Sequence, residues 1–203
     1  MTPPPRPALL ILATILALTG CQRAAPSPRS LVGDFPVPPA YALAGDNITV
    51  WKHVRQADGA WRFHSYSITS GGAVEYLETR DTGAADDDVE QTAADLAERR
   101  KSFLLPQGEF EDIRDRAALL RPAALGPRDP VGGYGGEALP AGCSHGTAPS
   151  RMAGVNFLNG INWGSFTLPS GCDTANARAA AAVMTDLFDR LDRAAQRDAQ
   201  ASR

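Results

Sequence analysis

The chain has 203 residues, of which 20 are Lys or Arg and 23 are Asp or Glu, so its formal net charge is −3 at pH 7. This mildly acidic balance, without any polybasic segment, excludes the electrostatic footprint of a nucleic-acid-binding protein. About 155 residues follow the N-terminal segments described below, which is enough for one domain with its own core and rarely enough for two.

The first 20 residues have the three parts of a bacterial export signal. Residues 1–6 carry a weak positive charge, residues 8–18 form an unbroken apolar run, and small residues precede Cys21. The apolar run is shorter than the roughly 20 residues that a membrane-spanning helix needs, as in the central region of a secretory signal peptide. An ordinary signal peptide with a chance cysteine, or a buried N-terminal helix, is the alternative.

The residues Leu18-Thr19-Gly20-Cys21 resemble the lipobox of bacterial lipoproteins at each of its positions. The resemblance implies cleavage between Gly20 and Cys21, a diacylglycerol on the Cys21 sulfur, and acylation of the new amino terminus. Several acyl chains hold a protein stably on a membrane, so we expect a lipid anchor with the domain facing the periplasm. Gln22 stands where an aspartate would resemble an inner-membrane retention signal, which favours the outer membrane over the inner membrane.

Residues 22–46 are rich in Pro, Ala and Ser and have no sustained apolar period. This composition is typical of a semi-extended tether, which would reach roughly 60–70 Å at about 3 Å per residue. We therefore assign residues 21–46 to the lipidated N-terminus and tether, and residues 47–203 to a single α+β domain. Part of the tether, residues 32–37, could instead lie along the domain.

Three consecutive segments have strand signals. Residues 47–56, 60–69 and 73–80 are rich in β-branched and aromatic side chains. Asp58-Gly59 and Ser70-Gly71-Gly72 separate them and supply the positive φ angles of hairpin turns. The sequence therefore predicts a three-stranded antiparallel meander.

Two helices are predicted next. Residues 86–103 begin with an acidic cluster, which is favourable at a helix N-terminus because of the helix dipole. Residues 109–120 place their apolar side chains on one face of a helix. The Gly-, Pro- and Ala-rich residues 122–149 are predicted to form a loop.

A second hairpin and a long helix complete the domain. Residues 152–158 and 161–168 flank Asn159-Gly160, a strong hairpin signal. Thr174 is a plausible N-cap for a helix that runs to about Ala195 with apolar residues at helical spacing. We therefore expect an α+β fold, in which an antiparallel sheet of a meander plus a hairpin has about three helices packed on one face.

The cysteines predict one disulfide. Lipid occupies Cys21, which leaves Cys143 and Cys172 as an even pair in an oxidising compartment. Their bridge would close a loop of about 30 residues and stabilise the domain by roughly 3–4 kcal/mol. A metal or redox site would need a Cys-x-x-Cys or added His at suitable spacing, and the sequence has neither.

The first hairpin supplies the most interesting candidate site. If Asp58 and Gly59 are its two turn residues, the register pairs Arg55 with Arg62, His53 with His64 and Trp51 with Tyr66. Two histidines among aromatic rings could bind a transition metal or sense pH, but two ligands alone make a poor metal site. Opposed arginines are unfavourable unless that face meets an anion. A solvated strand face is the alternative.

Ser144 and His145, next to Cys143, suggest a hydrolase only weakly. A catalytic triad needs a nucleophile, a base and an orienting group that converge in space, and adjacency along the chain does not provide this. The sequence has no Gly-x-Ser-x-Gly nucleophile elbow. A loop held by the disulfide accounts better for this segment.

No catalytic residue, cofactor or metal site is therefore predicted. The leading hypothesis is a non-enzymatic envelope lipoprotein that binds another envelope protein or the cell wall. Trp51, Tyr66 and Trp163 are the first candidates for contact, because Trp and Tyr dominate binding hot spots. The alternative is a periplasmic hydrolase, or a protein that binds a metal or small ligand, centred on His53, His64 or His145.

Overall fold

The computed structural model describes residues 28–55, 61–81, 97–127, 136–144, 151–169 and 171–202. The export signal, Cys21 and His145 lie outside these ranges. The described strands are β1 (Asn47–Arg55), β2 (Trp61–Ile68), β3 (Ala73–Asp81), β4 (Ala97–Leu104), β5 (Gly126–Pro127), β6 (Glu137–Ala138), β7 (Arg151–Asn159) and β8 (Asn162–Pro169). The α-helices are α1 (Gln107–Ala118) and α2 (Ala175–Ala201), and a 3₁₀ turn covers Ala40–Leu43.

The strands form one mainly antiparallel sheet in the order β4-β3-β2-β1-β7-β8-β5, with β6 pairing in parallel with β8. The predicted α+β class, the meander and the second hairpin are confirmed. The turn of the second hairpin consists of Gly160 and Ile161, one residue later than predicted. Gly160 has a φ of +60°, as glycine adopts at the first position of a tight hairpin turn.

The two faces of the sheet differ because successive side chains of a strand point to opposite sides. One face, which we call the helix side, carries the core with both helices packed against it. Its fully buried sheet residues include Ile48, Val50, Val155, Phe157 and Phe166. The other face is covered by neither described helix, and we call it the helix-free side.

The helix α2 follows its predicted signals. The side chain of Thr174 accepts a hydrogen bond from the backbone N–H of Ala177 at 3.0 Å, so the predicted N-cap is confirmed. An apolar stripe that includes Leu187 and Leu191 is completely buried. The helix continues to Ala201, beyond the predicted end near Ala195.

The prediction of a helix over residues 86–103 is wrong for its described part. Residues 97–104 form β4, which pairs with β3 along its length. The Arg- and Lys-rich sequence has good intrinsic helix propensity, but Phe103 is buried in the core and Arg100 pairs with Glu75 of β3 at 3.0 Å. Packing against a neighbouring strand thus overrides local propensity here. Residues 86–96 lie outside the described part of the chain.

The predicted disulfide between Cys143 and Cys172 is confirmed, with 5.8 Å between the two Cα atoms. Cys143 follows β6 at the end of a loop, and Cys172 precedes the N-cap of α2. The bridge therefore fixes the start of α2 to the edge of the sheet.

The described part of the predicted tether, residues 28–46, lies against the domain. The backbone N–H of Leu31 donates to the carbonyl of Leu119 at 2.9 Å, and the carbonyl of Leu31 accepts from Ala141 at 3.0 Å. At the other end of this segment, Asp46 is 1% exposed and forms an ion pair with Arg121 at 2.7 Å. Residues 28–46 are therefore packed on the folded part.

None of the helices in the described part of the chain combines the length and the apolar character that crossing a membrane requires.

Candidate functional site

The register of the first hairpin differs from the predicted one by one residue. Lys52 lies opposite His64, and His53 lies opposite Phe63. Arg55 pairs with Trp61, and the predicted Asp58-Gly59 turn between them lies outside the described residues. The predicted facing pairs are therefore wrong, and the opposed arginines do not occur.

A shift of one residue moves a side chain to the other face of a sheet. As a result, Trp51 and His53 lie on the helix-free side, whereas His64 and Tyr66 lie on the helix side. The four residues predicted as one possible interaction site therefore belong to two separate cavities. Trp51 and Tyr66 are buried, at 7% and 3% exposure, so each forms part of a cavity wall.

The cavity on the helix side, which we call the ionic pocket, has a volume of about 460 Å³. It forms where the helix-side residues of the meander change from apolar to polar, for example from Val50 to Lys52 and from Tyr66 to His64. The pocket is lined by Lys52, Arg62, His64, Tyr66, Tyr76, Glu78, Arg99, Phe188 and Asp192.

A chain of hydrogen bonds crosses the pocket. Nδ1 of His64 lies 3.0 Å from the hydroxyl of Tyr76, which donates to Glu78 at 3.0 Å. The other carboxylate oxygen of Glu78 accepts from Arg62 at 2.8 Å. On the opposite wall, the hydroxyl of Tyr66 donates to Asp192 of α2 at 2.5 Å. These contacts hold the polar side chains of two strands, β2 and β3, and of α2 in fixed positions.

Both tyrosines of the pocket keep their protons at neutral pH. Burial raises the pKa of Tyr66, and its hydrogen bond to Asp192 raises it further. Burial and the hydrogen bond to Glu78 likewise raise the pKa of Tyr76. The two hydroxyls therefore act as hydrogen-bond donors to carboxylates.

Burial and charge act oppositely on His64 and Glu78. Burial lowers the pKa of His64 below its usual 6.5, although the nearby carboxylate of Glu78 acts in the other direction. Burial alone would raise the pKa of Glu78, but hydrogen bonds from Arg62 and Tyr76 outweigh it and leave that pKa below its usual 4.5. At pH 7, His64 is therefore neutral and Glu78 is ionised.

These shifts predict that acid destabilises the domain. The unfolded chain protonates its histidine near pH 6.5 and the folded chain only at lower pH, so the free energy of unfolding falls as the pH drops below about 6.5. Ionised Glu78 adds to the free energy of unfolding above about pH 4.5, and this contribution is lost as the pH falls through the lowered pKa of Glu78. Urea denaturation between pH 7.5 and 5 should give a flatter pH dependence for His64→Gln than for the unmodified protein. An equal slope for both would contradict the assignment to His64.

The cavity on the helix-free side, which we call the aromatic cleft, has a volume of about 240 Å³. Trp51 and Phe63 stack with their ring centres 6.2 Å apart, and the ring of His53 lies 5.7 Å from Trp51 in an edge-on arrangement. Any side chain at Gly154 would collide with the ring of Trp51, so this glycine makes room for it. The remaining lining residues are Glu137, Asn156, Trp163, Ser165 and Thr167.

The aromatic cleft combines ring faces with hydrogen-bonding groups. Asn156 and Trp163 are partly exposed, whereas Ser165 and Thr167 are buried in the floor. The hydroxyl of Thr167 donates to Glu137 at 2.9 Å, which ties the short strand β6 to β8. Such a cavity can hold a ligand that has both apolar and polar surfaces.

Several residues of these cavities were not singled out by sequence reasoning. Tyr76 and Glu78 are two residues apart on β3, so they share one face of the sheet. Glu78 lies opposite His64 of β2, which puts both residues on the same face as His64, and this signal could have identified them once the register was known. Asp192 lies 126 residues from Tyr66 along the chain, and no local pattern connects the two. Of the hydrolase candidates, Ser144 is exposed at the surface, and His145 lies outside the described residues.

Among the described residues, no three His, Cys, Asp or Glu side chains come together as a possible metal site. Comparison with known proteins finds neither a family model that matches this chain nor a curated protein that is similar to it. The function therefore has to be argued from the chemistry of the two cavities.

Proposed function

We propose that this chain is a membrane-anchored envelope lipoprotein whose domain is a non-enzymatic binding module. Its acylated Cys21 holds it on a membrane, with the outer membrane favoured over the inner membrane, and its domain faces the periplasm. The aromatic cleft is its contact site for the cell wall or another envelope protein. The observation that carries this proposal is the cleft itself, in which Trp, Phe and His rings meet amide, hydroxyl and carboxylate groups.

The composition of the cleft favours a cell-wall glycan over a protein. A sugar ring has an apolar face of C–H groups that can lie against an aromatic ring, and hydroxyls that pair with amide and carboxylate groups. Asn156 and Glu137 supply such groups next to the rings of Phe63 and Trp163. A purely apolar protein side chain could make no hydrogen bond to these polar groups, whereas a sugar hydroxyl could.

The packing of residues 28–46 shortens the reach of the anchor. Only residues 22–27 lie between Cys21 and the first described residue, and a chain spans at most about 3.5 Å per residue. The distance from the lipidated cysteine to Pro28 is therefore at most about 25 Å. This geometry supports a ligand that lies close to the membrane surface.

The lipid anchor has its own test. Metabolic labelling with a palmitate analogue should mark the protein, and Cys21→Ala should abolish the label because the acylated sulfur is gone. Label that persists in Cys21→Ala would refute the lipoprotein assignment.

Replacing Trp163 with alanine should weaken cell-wall binding by roughly 30-fold, because a hot-spot aromatic contributes about 2 kcal/mol or more. The measurement is co-sedimentation of the purified lipidated protein with peptidoglycan sacculi. Leu104→Ala is the matched control, since Leu104 is 70% exposed on the edge strand β4, away from the cleft.

In-cell crosslinking followed by mass spectrometry separates the two partner classes. In one outcome, the unmodified protein crosslinks to an envelope protein, the crosslink is lost in Trp163→Ala, and the unmodified protein shows no binding to sacculi. This result would mean that the cleft binds a protein and not the glycan. If the protein does not bind sacculi and no crosslinked partner depends on Trp163, the proposal for the cleft is overturned.

A further inference from the structure

The ionic pocket contains more cationic than anionic side chains. The cations belong to Lys52, Arg62 and Arg99, and the carboxylates belong to Glu78 and Asp192. A second hollow of about 350 Å³ adjoins it along α2 and adds the cation of Lys101. The two hollows form a groove between the meander, β4 and α2 whose field attracts anions.

Lys52 is a cation of the ionic pocket that has no acidic partner among the described residues. Its Nζ lies 4.0 Å from the centre of the Phe188 ring, which is a cation–π contact. No carboxylate of the described residues forms an ion pair with it. Arg62, in contrast, pairs with Glu78 at 2.8 Å. A partly buried ammonium gains most from an added anion, because burial has already removed part of its water.

The two carboxylates of the pocket are already occupied. Glu78 accepts hydrogen bonds from Arg62 and Tyr76, and Asp192 accepts one from Tyr66. Each is therefore stabilised as an anion without a cation from a ligand. Lys52 and the histidine beside it, in contrast, have hydrogen-bonding capacity that no described residue uses.

The hydrogen-bond chain determines which nitrogen of His64 carries the proton. A phenol has a single proton, and that of Tyr76 goes to Glu78, so Nδ1 of His64 must be the donor to the oxygen of Tyr76. Neutral His64 then has a lone pair on Nε2, which has no hydrogen-bond partner among the described residues. His64 is the direct cross-strand neighbour of Lys52, with their Cβ atoms about 5 Å apart.

We infer that the ionic pocket binds a small organic acid whose carboxylate pairs with Lys52 and whose adjacent hydroxyl donates to Nε2 of His64. A 2-hydroxy acid carries both groups on neighbouring atoms. The pocket volume, about 460 Å³, lies within the range of small-molecule sites. Because the aromatic cleft is on the other face of the sheet, this inference does not depend on the function proposed for the cleft.

The test is a ligand-observed NMR titration of the full chain, as the cell processes it, in detergent. The probes are lactate, propionate and inorganic phosphate. Lactate should bind, and propionate should bind at least about tenfold more weakly because it has no hydroxyl for His64. Phosphate that binds more tightly than lactate would overturn the assignment to a carboxylate.

Lys52→Met should weaken lactate binding by at least about tenfold, whereas Lys52→Arg should retain it because the charge is kept. Arg178→Met is the matched control, since Arg178 is an exposed cation about 15 Å along α2 from Phe188. His64→Phe should remove the preference for lactate over propionate. Thermal unfolding of each variant identifies any that fail to fold. If Lys52→Met is one of them, Lys52→Gln is the second variant that removes the charge, and it should lose lactate binding in the same way.

Absence of lactate binding to the unmodified protein, or equal binding by Lys52→Met, would overturn the inference. Trp163→Ala should leave lactate binding unchanged, and Lys52→Met should leave sacculus binding unchanged. The failure of one proposal is thereby distinguished from the failure of the other.

Discussion

Asp46→Ala should lower the free energy of unfolding by about 3–5 kcal/mol, the cost of leaving a buried charge without its partner. Asp46 is 1% exposed and accepts hydrogen bonds from Arg121 at 2.7 Å and from Asn159 at 2.8 Å. The side chain of Arg121 is itself only 11% exposed. The carboxylate thus joins three parts of the chain: the segment before β1, the residues after α1, and the turn of the second hairpin.

Urea denaturation at pH 7 measures this loss, with Asp34→Ala as the matched control. Asp34 also pairs with an arginine, Arg29, at 2.8 Å, but its side chain is 88% exposed, so its removal should cost no more than about 1 kcal/mol. The double variant Asp46→Ala with Arg121→Met should recover part of the loss, because no unpaired buried charge remains. Equal effects of Asp46→Ala and Asp34→Ala would contradict this account.

Replacing both Cys143 and Cys172 with serine should lower the free energy of unfolding by roughly 3–4 kcal/mol. The bridge spans 29 residues, and in the chain-entropy model its main effect is to restrict the unfolded chain. The loop it closes contains the whole second hairpin, so its loss also releases the start of α2 from the edge of the sheet.

Chemical denaturation of the oxidised protein, the reduced protein and the double-serine variant measures this effect. Reduction of the unmodified protein should reproduce the double-serine variant, because both break the same covalent link. A difference below about 1 kcal/mol between oxidised and reduced protein would show that the bridge contributes little, as strained bridges do.

The parts of the fold that could be predicted are those whose signals are local. The meander and the second hairpin have strands rich in β-branched and aromatic residues, joined by turns in which Gly72 and Gly160 adopt positive φ. The start of α2 follows from the hydroxyl of Thr174, which caps a backbone N–H three residues away. The disulfide followed from counting the cysteines of a chain that was predicted to be exported.

The parts that could not be predicted depend on which elements become neighbours. Residues 97–104 have helix-forming side chains, yet β3 offers them partners for strand pairing and a buried site for Phe103. The register of the first hairpin is set by pairing along β1 and β2 and by the contact of β1 with β7, more than 100 residues later. A local turn signal carries no information about either.

The candidate sites show the same division. The sequence alone determined which residue types were available, among them Trp51, His53, His64 and Tyr66, and that strand residues two apart share a face. Only the tertiary structure decided that the first two belong to the aromatic cleft and the last two to the ionic pocket. The physical reason is the period of two in a strand, because a shift of one residue in register, decided by long-range packing, moves every side chain to the opposite face.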